Sequence, residues 1–230
     1  MNVAVILAGG VGSRMRSFVP VQFIKVNGHP IISYSMQRMD KHPEIDAICV
    51  VCIPGWEKYI AALVKREGFS KVKWIVTGGP TFHESVANSV FALRSRIPGD
   101  SMVLFQYAES PLVSAKNISD ALTLASVRKD GCPAMLRGYS LSDFAVQIRK
   151  ANGDIMSLDS PHAMPLQDAF NLYKEAYSRN AIKSVDHHTA CMMQAMGREP
   201  HFCASSDINF RIIKNSDLAL FKRLLELNAR

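Results

Sequence analysis

The strongest constraint on the fold is an alternation that repeats along the first half of the chain. VAVILA (3–8), IDAICVVCI (45–53), KVKWIVTG (71–78) and SMVLFQY (101–107) are continuous apolar runs rich in β-branched residues. Each is followed by a stretch with helical periodicity: PIISYSMQRMDK, WEKYIAALVKREG, ESVANSVFALRSRI and NISDALTLASVRK. Strands that are apolar on both faces belong to a parallel sheet covered on both sides. Right-handed crossovers then give a doubly wound, Rossmann-like α/β sheet.

From about residue 131 to 160 the rhythm changes. GCPAMLRGYSLSDFAVQIRKANGDIMSLDS carries short alternating stretches, with Asn152-Gly153 as a hairpin turn signal, and reads as an inserted β-arm. Helices are expected again at LQDAFNLYKEAYSR, near TACMMQAMG and at NSDLALFKRLLELNAR, where Ser216 or Asn215 is the expected cap. HFCASS and INFRII are expected as late strands.

Composition narrows the function class. The 230 residues are 48% hydrophobic and 20% charged, enough apolar material for one large domain with a sizeable core. No segment approaches the roughly 18 uncharged apolar residues that span a bilayer. MNVAVILAGG runs straight into a glycine turn and reads as a first strand, so a cytoplasmic location is expected. The net charge of +7 is scattered without basic blocks, which suits small phosphorylated ligands better than nucleic acid or membrane. Cys49 and Cys52 have CxxC spacing but sit inside one apolar strand, where buried structural thiols are expected rather than zinc or redox chemistry. Met135, Met156, Met164, Met192, Met193 and Met196 are expected to fill gaps in the core or a dimer interface.

The sharpest local signal is LAGGVGSRM, Leu7 to Met15, a strand–turn–helix opening. Gly9, Gly10 and Gly12 let the backbone turn tightly and approach a ligand, with amides facing phosphate oxygens. Arg14 adds a planar, permanent charge suited to phosphate. The loop is not a Walker A motif, because no Gly-Lys-Ser/Thr follows, and it lacks the third glycine of a dinucleotide fingerprint.

LAGGVGSRM, Pro20-Val21-Gln22-Phe23 and Gly28-His29-Pro30-Ile31 resemble the opening of the cytidylyltransferases of methylerythritol phosphate and ribitol phosphate. The similarity continues through TGGPTFHESVAN (77–88), residues 103–114, SLDSPH (157–162) and INFRIIKNSDL (208–218), so it covers nearly the whole chain in order. The resemblance implies one nucleotidyltransferase-like domain over residues 1–230, with a mostly parallel sheet of about seven strands. It implies a homodimer built through the arm, and transfer of CMP from CTP to a sugar- or polyol-phosphate with magnesium and loss of pyrophosphate. It further implies that Ala8, Gly9 and Gly10 cradle nucleotide and Arg14 stabilises phosphate charge. Gly79 and Ser85 would recognise cytosine, Ser160 would lie near the acceptor, and Arg211 would keep the charge of a family lysine.

Several positions depart from the family pattern. Val21 stands where the family has a lysine, Phe82 where it has an arginine, and Tyr107 and Ser110 where it has the magnesium-binding aspartate and a second arginine. The acceptor-side Thr-Asp-Asp segment reads His187-His188-Thr189. Glu109, two residues past Tyr107, is the expected replacement magnesium ligand. Asp186, His187 and His188 form a compact polar cluster expected to meet phosphate or hydroxyls rather than hold a metal. Three functions are open: a divergent cytidylyltransferase, a catalytically impaired member that binds nucleotide or serves as a regulatory or structural subunit, or an enzyme of the same fold with altered nucleotide and acceptor.

Overall fold

The computed structural model describes residues 1–10, 15, 18–136, 146–206 and 208–228. The chain runs β1 (Asn2–Ala8), a minimal hairpin of β2 (Lys25–Val26) and β3 (His29–Pro30), α1 (Ile31–Lys41), β4 (Ala47–Cys52) and α2 (Glu57–Glu67). It continues with β5 (Val72–Thr77), α3 (Phe82–Arg94), β6 (Met102–Tyr107), α4 (Ala115–Arg128), β7 (Cys132–Leu136), β8 (Val146–Arg149) and β9 (Ile155–Leu158). The last elements are β10 (His162–Pro165), α5 (Leu166–Ser178), α6 (Thr189–Ala195), β11 (Phe202–Ala204) and α7 (Asn215–Asn228).

The apolar runs assemble as expected into a sheet of order β10-β6-β1-β4-β5, parallel except for β10. Alternate residues of β1 serve opposite faces. Val3, Val5 and Leu7 join Val90, Leu93 and Tyr173 beneath α3 and α5. Ala4, Ile6 and Ala8 join Met36, Ile60 and Ile118 beneath α1, α2 and α4. Each large apolar side chain so buried contributes roughly 1.5–3 kcal/mol, which makes both helical layers obligatory. Cys49 and Cys52 fall in these two opposite cores, and burial pushes their thiols up to about 12 and about 11. They are inert structural residues.

One sheet of about seven strands is not what forms. A second, four-stranded sheet of order β11-β7-β9-β8 stands beside the first. Antiparallel β10 occupies the edge of β6, and β7 meets it through an isolated bridge, Gly131 to Ala163, before pairing with β9 and β11. The Asn152-Gly153 signal does make the β8–β9 turn, with Gly153 at φ +93°. The methionines of the second half fill gaps: Met164, Met192, Met193 and Met196 lie in the α3–α5 core, and Met156 packs against the second sheet's core.

Two late expectations are corrected. HFCASS supplies β11, but Ile208–Ile213 form no strand; this segment crosses the end of β6, where the Ile212 N–H bonds the Glu109 carbonyl at 2.8 Å. The start of α7 is capped by Asp217, whose Oδ2 accepts from the amides of Ile213 (2.9 Å) and Lys214 (3.0 Å), not by Asn215 or Ser216. Among the described residues no helix is long and apolar enough to cross a membrane.

Candidate active site

In an open α/β sheet, ligands bind at the carboxyl ends of the strands where the strand order reverses. Here the chain passes from β1 outward to β4 and β5, then returns to β6 on the other side of β1. At the ends of β1 and β6 lies a cleft of about 330 Å³. Gly9 and Gly10 follow β1 into it, Glu109 follows β6, and Phe82 and Ser85 reach it from the first turns of α3. His187 and Arg211 enter from segments more than 70 residues further along the chain.

The glycine turn is held from below. Gln22 is fully buried, and its Nε2 donates to the carbonyls of Ala8 (2.8 Å) and Gly10 (2.7 Å). A Cβ on Gly9 would lie 2.9 Å from Ser85 Oγ, and one on Gly79 would lie 2.4 Å from Glu84 Cβ. Glycine is therefore required by close approach rather than by a left-handed backbone. Ser85 Oγ accepts from the Gly79 amide at 3.1 Å, tying the α3 turn to the loop before it. Thr81 and Glu84 complete a reciprocal capping box at the start of α3, with bonds of 3.2 and 2.9 Å. The free amides of that end, with its positive dipole, suit an anion. Gly9→Ala should weaken the binding of a phosphorylated ligand in the cleft at least roughly tenfold, the scale of a forced shift in a packed contact. In Gly9→Ala/Ser85→Ala the clashing oxygen is gone, so calorimetry should find a loss well below the sum of the two single variants.

The end of β6 carries the most distinctive geometry. The Tyr107 ring lies 4.2 Å beneath the Arg211 guanidinium carbon, and its hydroxyl donates to the His187 carbonyl at 2.5 Å. Burial raises the Tyr107 phenol, with Arg211 opposing, so the group stays protonated and remains a donor. Arg211 also pairs with Glu109 Oε1 at 3.5 Å. That carboxylate is 6% exposed and stands 3.4 Å from where a Cβ on Gly10 would be. Phe82 closes the wall, stacked on His187 at 6.1 Å and tilted against Tyr107 at 5.7 Å. Val21, in place of the expected lysine, adds an apolar side.

The histidine cluster divides. His187 lines the cleft, whereas His188 is buried, caps α6 by accepting from the Ala190 amide, and is driven down to about 3 by burial. The Asp186 carbonyl accepts from the buried His83, which burial lowers to about 4. The expectation that Asp186, His187 and His188 meet a ligand together is corrected: capping and burial consume His188, and His187 alone lines the cleft. His188 stacks on His162 at 5.6 Å. His162 bonds Thr189 Oγ1 through one nitrogen and Asp130 Oδ2 (3.3 Å) through the other. Nothing in the sequence pattern pointed to Asp130.

Of the residues singled out from sequence, Gly9, Gly10, Ser85, Glu109 and Arg211 line one cleft. Gly79 is bonded to Ser85 beside it. Ala8 is buried in the core below. Ser160 is also buried, its Oγ accepting from the Tyr107 amide at 3.4 Å and its carbonyl from Asn209 at 2.8 Å. Gly12 and Arg14 lie outside the described residues. Among the described residues no three metal-binding side chains cluster, and Glu109 is the one carboxylate lining the cleft. One carboxylate together with substrate phosphates is an ordinary magnesium donor set, so the residues present fit that ion.

The family whose profile the chain matches, over residues 2–226, is described as IspD, 2-C-methyl-D-erythritol 4-phosphate cytidylyltransferase. A ribitol-5-phosphate cytidylyltransferase from Lacticaseibacillus paracasei is 32% identical over 231 residues, covering 98% of each chain. Another from Vibrio parahaemolyticus is 27% identical, covering 98% of this chain and 96% of its own. Among solved structures, the 4-diphosphocytidyl-2C-methyl-D-erythritol synthase of Anaerococcus prevotii superposes with a TM-score of 0.75 at 15% identity, covering 98% of this chain and 96% of its own, a likeness of fold.

Proposed function

Because the chain belongs to the 2-C-methyl-D-erythritol 4-phosphate cytidylyltransferase family, we propose that it transfers CMP from CTP to a phosphorylated polyol and releases pyrophosphate. The observation that carries this reading is the convergence on one cleft of the glycine turn, the amide end of α3 and Arg211. The relatives named for ribitol 5-phosphate, alike over nearly the full length, favour a pentitol phosphate as acceptor.

An oxygen of the acceptor's phosphate attacks the α-phosphorus of CTP and forms a new P–O bond. The bond to the β-phosphate oxygen breaks, and pyrophosphate leaves with that electron pair. No covalent enzyme intermediate is needed, so the protein acts by positioning and by stabilising charge. Gly9 and Gly10 let the triphosphate approach the backbone, the α3 amides face its oxygens, and Ser85 holds the Gly79 peptide toward the base. Arg211 neutralises charge where acceptor and triphosphate meet. Glu109 would hold a magnesium ion, which supplies further charge neutralisation on the phosphates. A homodimer joined through the second sheet, whose outer strand among the described residues is β8, belongs to the same reading.

Tyr107 at the strand end and the Glu109–Arg211 pair favour a second reading, a member that binds nucleotide without turnover. A pyrophosphate-release assay over several nucleotides and phosphorylated polyols, run beside calorimetric CTP binding, separates the two. Release with CTP supports transfer; binding without release supports the second reading. Glu109→Ala should lower CTP affinity in magnesium at least roughly tenfold and leave magnesium-free binding unchanged or tighter, because a carboxylate beside the phosphates is then repulsive. Equal affinity in both buffers would remove Glu109 from the metal role.

A further inference from the structure

We propose that Tyr107 is a positioning residue that sets Arg211 over the phosphate site and joins it to the acceptor side of the cleft. The inference rests on the reading of the cleft as a phosphate-transfer site but concerns a residue to which that reading gives no role.

Three contacts carry it. The Arg211 guanidinium carbon stands over the Tyr107 ring, 4.2 Å from its centre. Its hydroxyl donates to the His187 carbonyl, 80 residues along the chain. Its amide is held by Ser160 Oγ on the β9–β10 turn. Arg211 itself comes from a segment with no strand of its own, and its side chain retains appreciable exposure at 28%. A long side chain on an irregular segment would lose rotamer freedom on binding a phosphate. An aromatic face under the guanidinium spends that entropy before the ligand arrives. Glu109 on the opposite edge fixes the remaining direction.

The two halves of the tyrosine serve different half-sites. The ring orients Arg211, so losing it should weaken everything that bears phosphate in the cleft. The hydroxyl anchors the His187 peptide, and with it the His187 ring stacked on Phe82, so losing it should act on the acceptor side alone. The place where a metal-binding aspartate was expected thus holds a shelf for a fixed cation.

The test is a double-mutant cycle on Tyr107→Leu and Arg211→Met, read as the CTP dissociation constant by calorimetry and as kcat/KM where turnover is present. Tyr107→Leu should weaken CTP roughly tenfold in the wild-type background, the size of a desolvated cation–π contact, and by less than twofold once Arg211 is methionine. Tyr107→Phe, which keeps the ring, should restore CTP affinity to within about twofold while raising the acceptor KM with kcat nearly unchanged. Independent, additive losses in the cycle would overturn the proposal, because a merely structural role does not depend on Arg211. So would a phenylalanine variant as weak for CTP as the leucine one. Non-additive CTP binding without pyrophosphate release would sustain the positioning role and remove the transfer reading. A wild-type protein that does not bind CTP would overturn both.

Discussion

Arg211→Met is expected to lower kcat/KM for nucleotidyl transfer by roughly a hundred- to a thousandfold. Two effects add. The substitution removes a preorganised charge from a cleft whose described lining contains no second lysine or arginine. It also leaves Glu109, 6% exposed and beside the Gly10 backbone, without the partner that now stands at 3.5 Å. An unpaired carboxylate at that place opposes an incoming triphosphate. In magnesium-free buffer Arg211→Met/Glu109→Gln should therefore bind CTP more tightly than Arg211→Met alone. A double variant weaker than the single one in that buffer would mean that the unpaired carboxylate does not repel the triphosphate.

The second large effect is on stability. Asp130 is 1% exposed and accepts from the His201 amide at 2.8 Å and from its ring nitrogen at 2.7 Å, with His162 Nε2 at 3.3 Å. Burial alone would raise this carboxyl, yet hydrogen bonds from the two histidines and the charge of His162 win, and it sits below its ordinary value. Asp130→Ala strips buried donors of their partner. The expected cost is about 3–4 kcal/mol, which thermal unfolding should report as a fall of roughly 6–16 °C for a chain of this size. Because the folded carboxyl is depressed, its contribution is present at neutral pH and is lost as pH falls below the unfolded value near 4. The gap between wild type and variant should narrow in acid. A gap that stays constant down to pH 3 would mean that packing, not charge, is at stake.

How much of this was legible beforehand follows from the range of the interactions. Val3–Ala8, Ala47–Cys52 and Met102–Tyr107 are apolar on both faces, and only a sandwiched parallel sheet buries such strands. Cys49 and Cys52 were readable for the same reason, since the alternation of a strand separates them. Ile208–Ile213 has strand-like composition but no ladder, because its amide at Ile212 is taken by the irregular turn after β6. Local propensity does not encode that pairing. The count of strands in one sheet likewise depended on where β7 leaves β10, a matter of a single bridge.

In the site, the glycine turn and its serine were readable as a pattern, and the structure adds why they belong together: Gly9 is small because Ser85 is close. Tyr107 read as the absence of an aspartate. Its value as a shelf needed Arg211, 104 positions later by their numbers, to come within 4.2 Å. Asp130 and His162 carried no motif at all. Their pairing exists because the start of β7 and β10 meet at the seam of the two sheets, and buried polar groups there must find one another.

The central claim is that CTP and a phosphorylated pentitol are joined in the cleft at the ends of β1 and β6. Phosphorus NMR of the protein incubated with CTP, magnesium and ribitol 5-phosphate reads that bond directly. The account predicts that the phosphomonoester signal of the acceptor gives way to a pair of coupled diphosphodiester resonances while inorganic pyrophosphate accumulates in equal amount, and that Arg211→Met suppresses both. Unchanged acceptor and CTP signals, beside intact calorimetric binding of CTP, would contradict it.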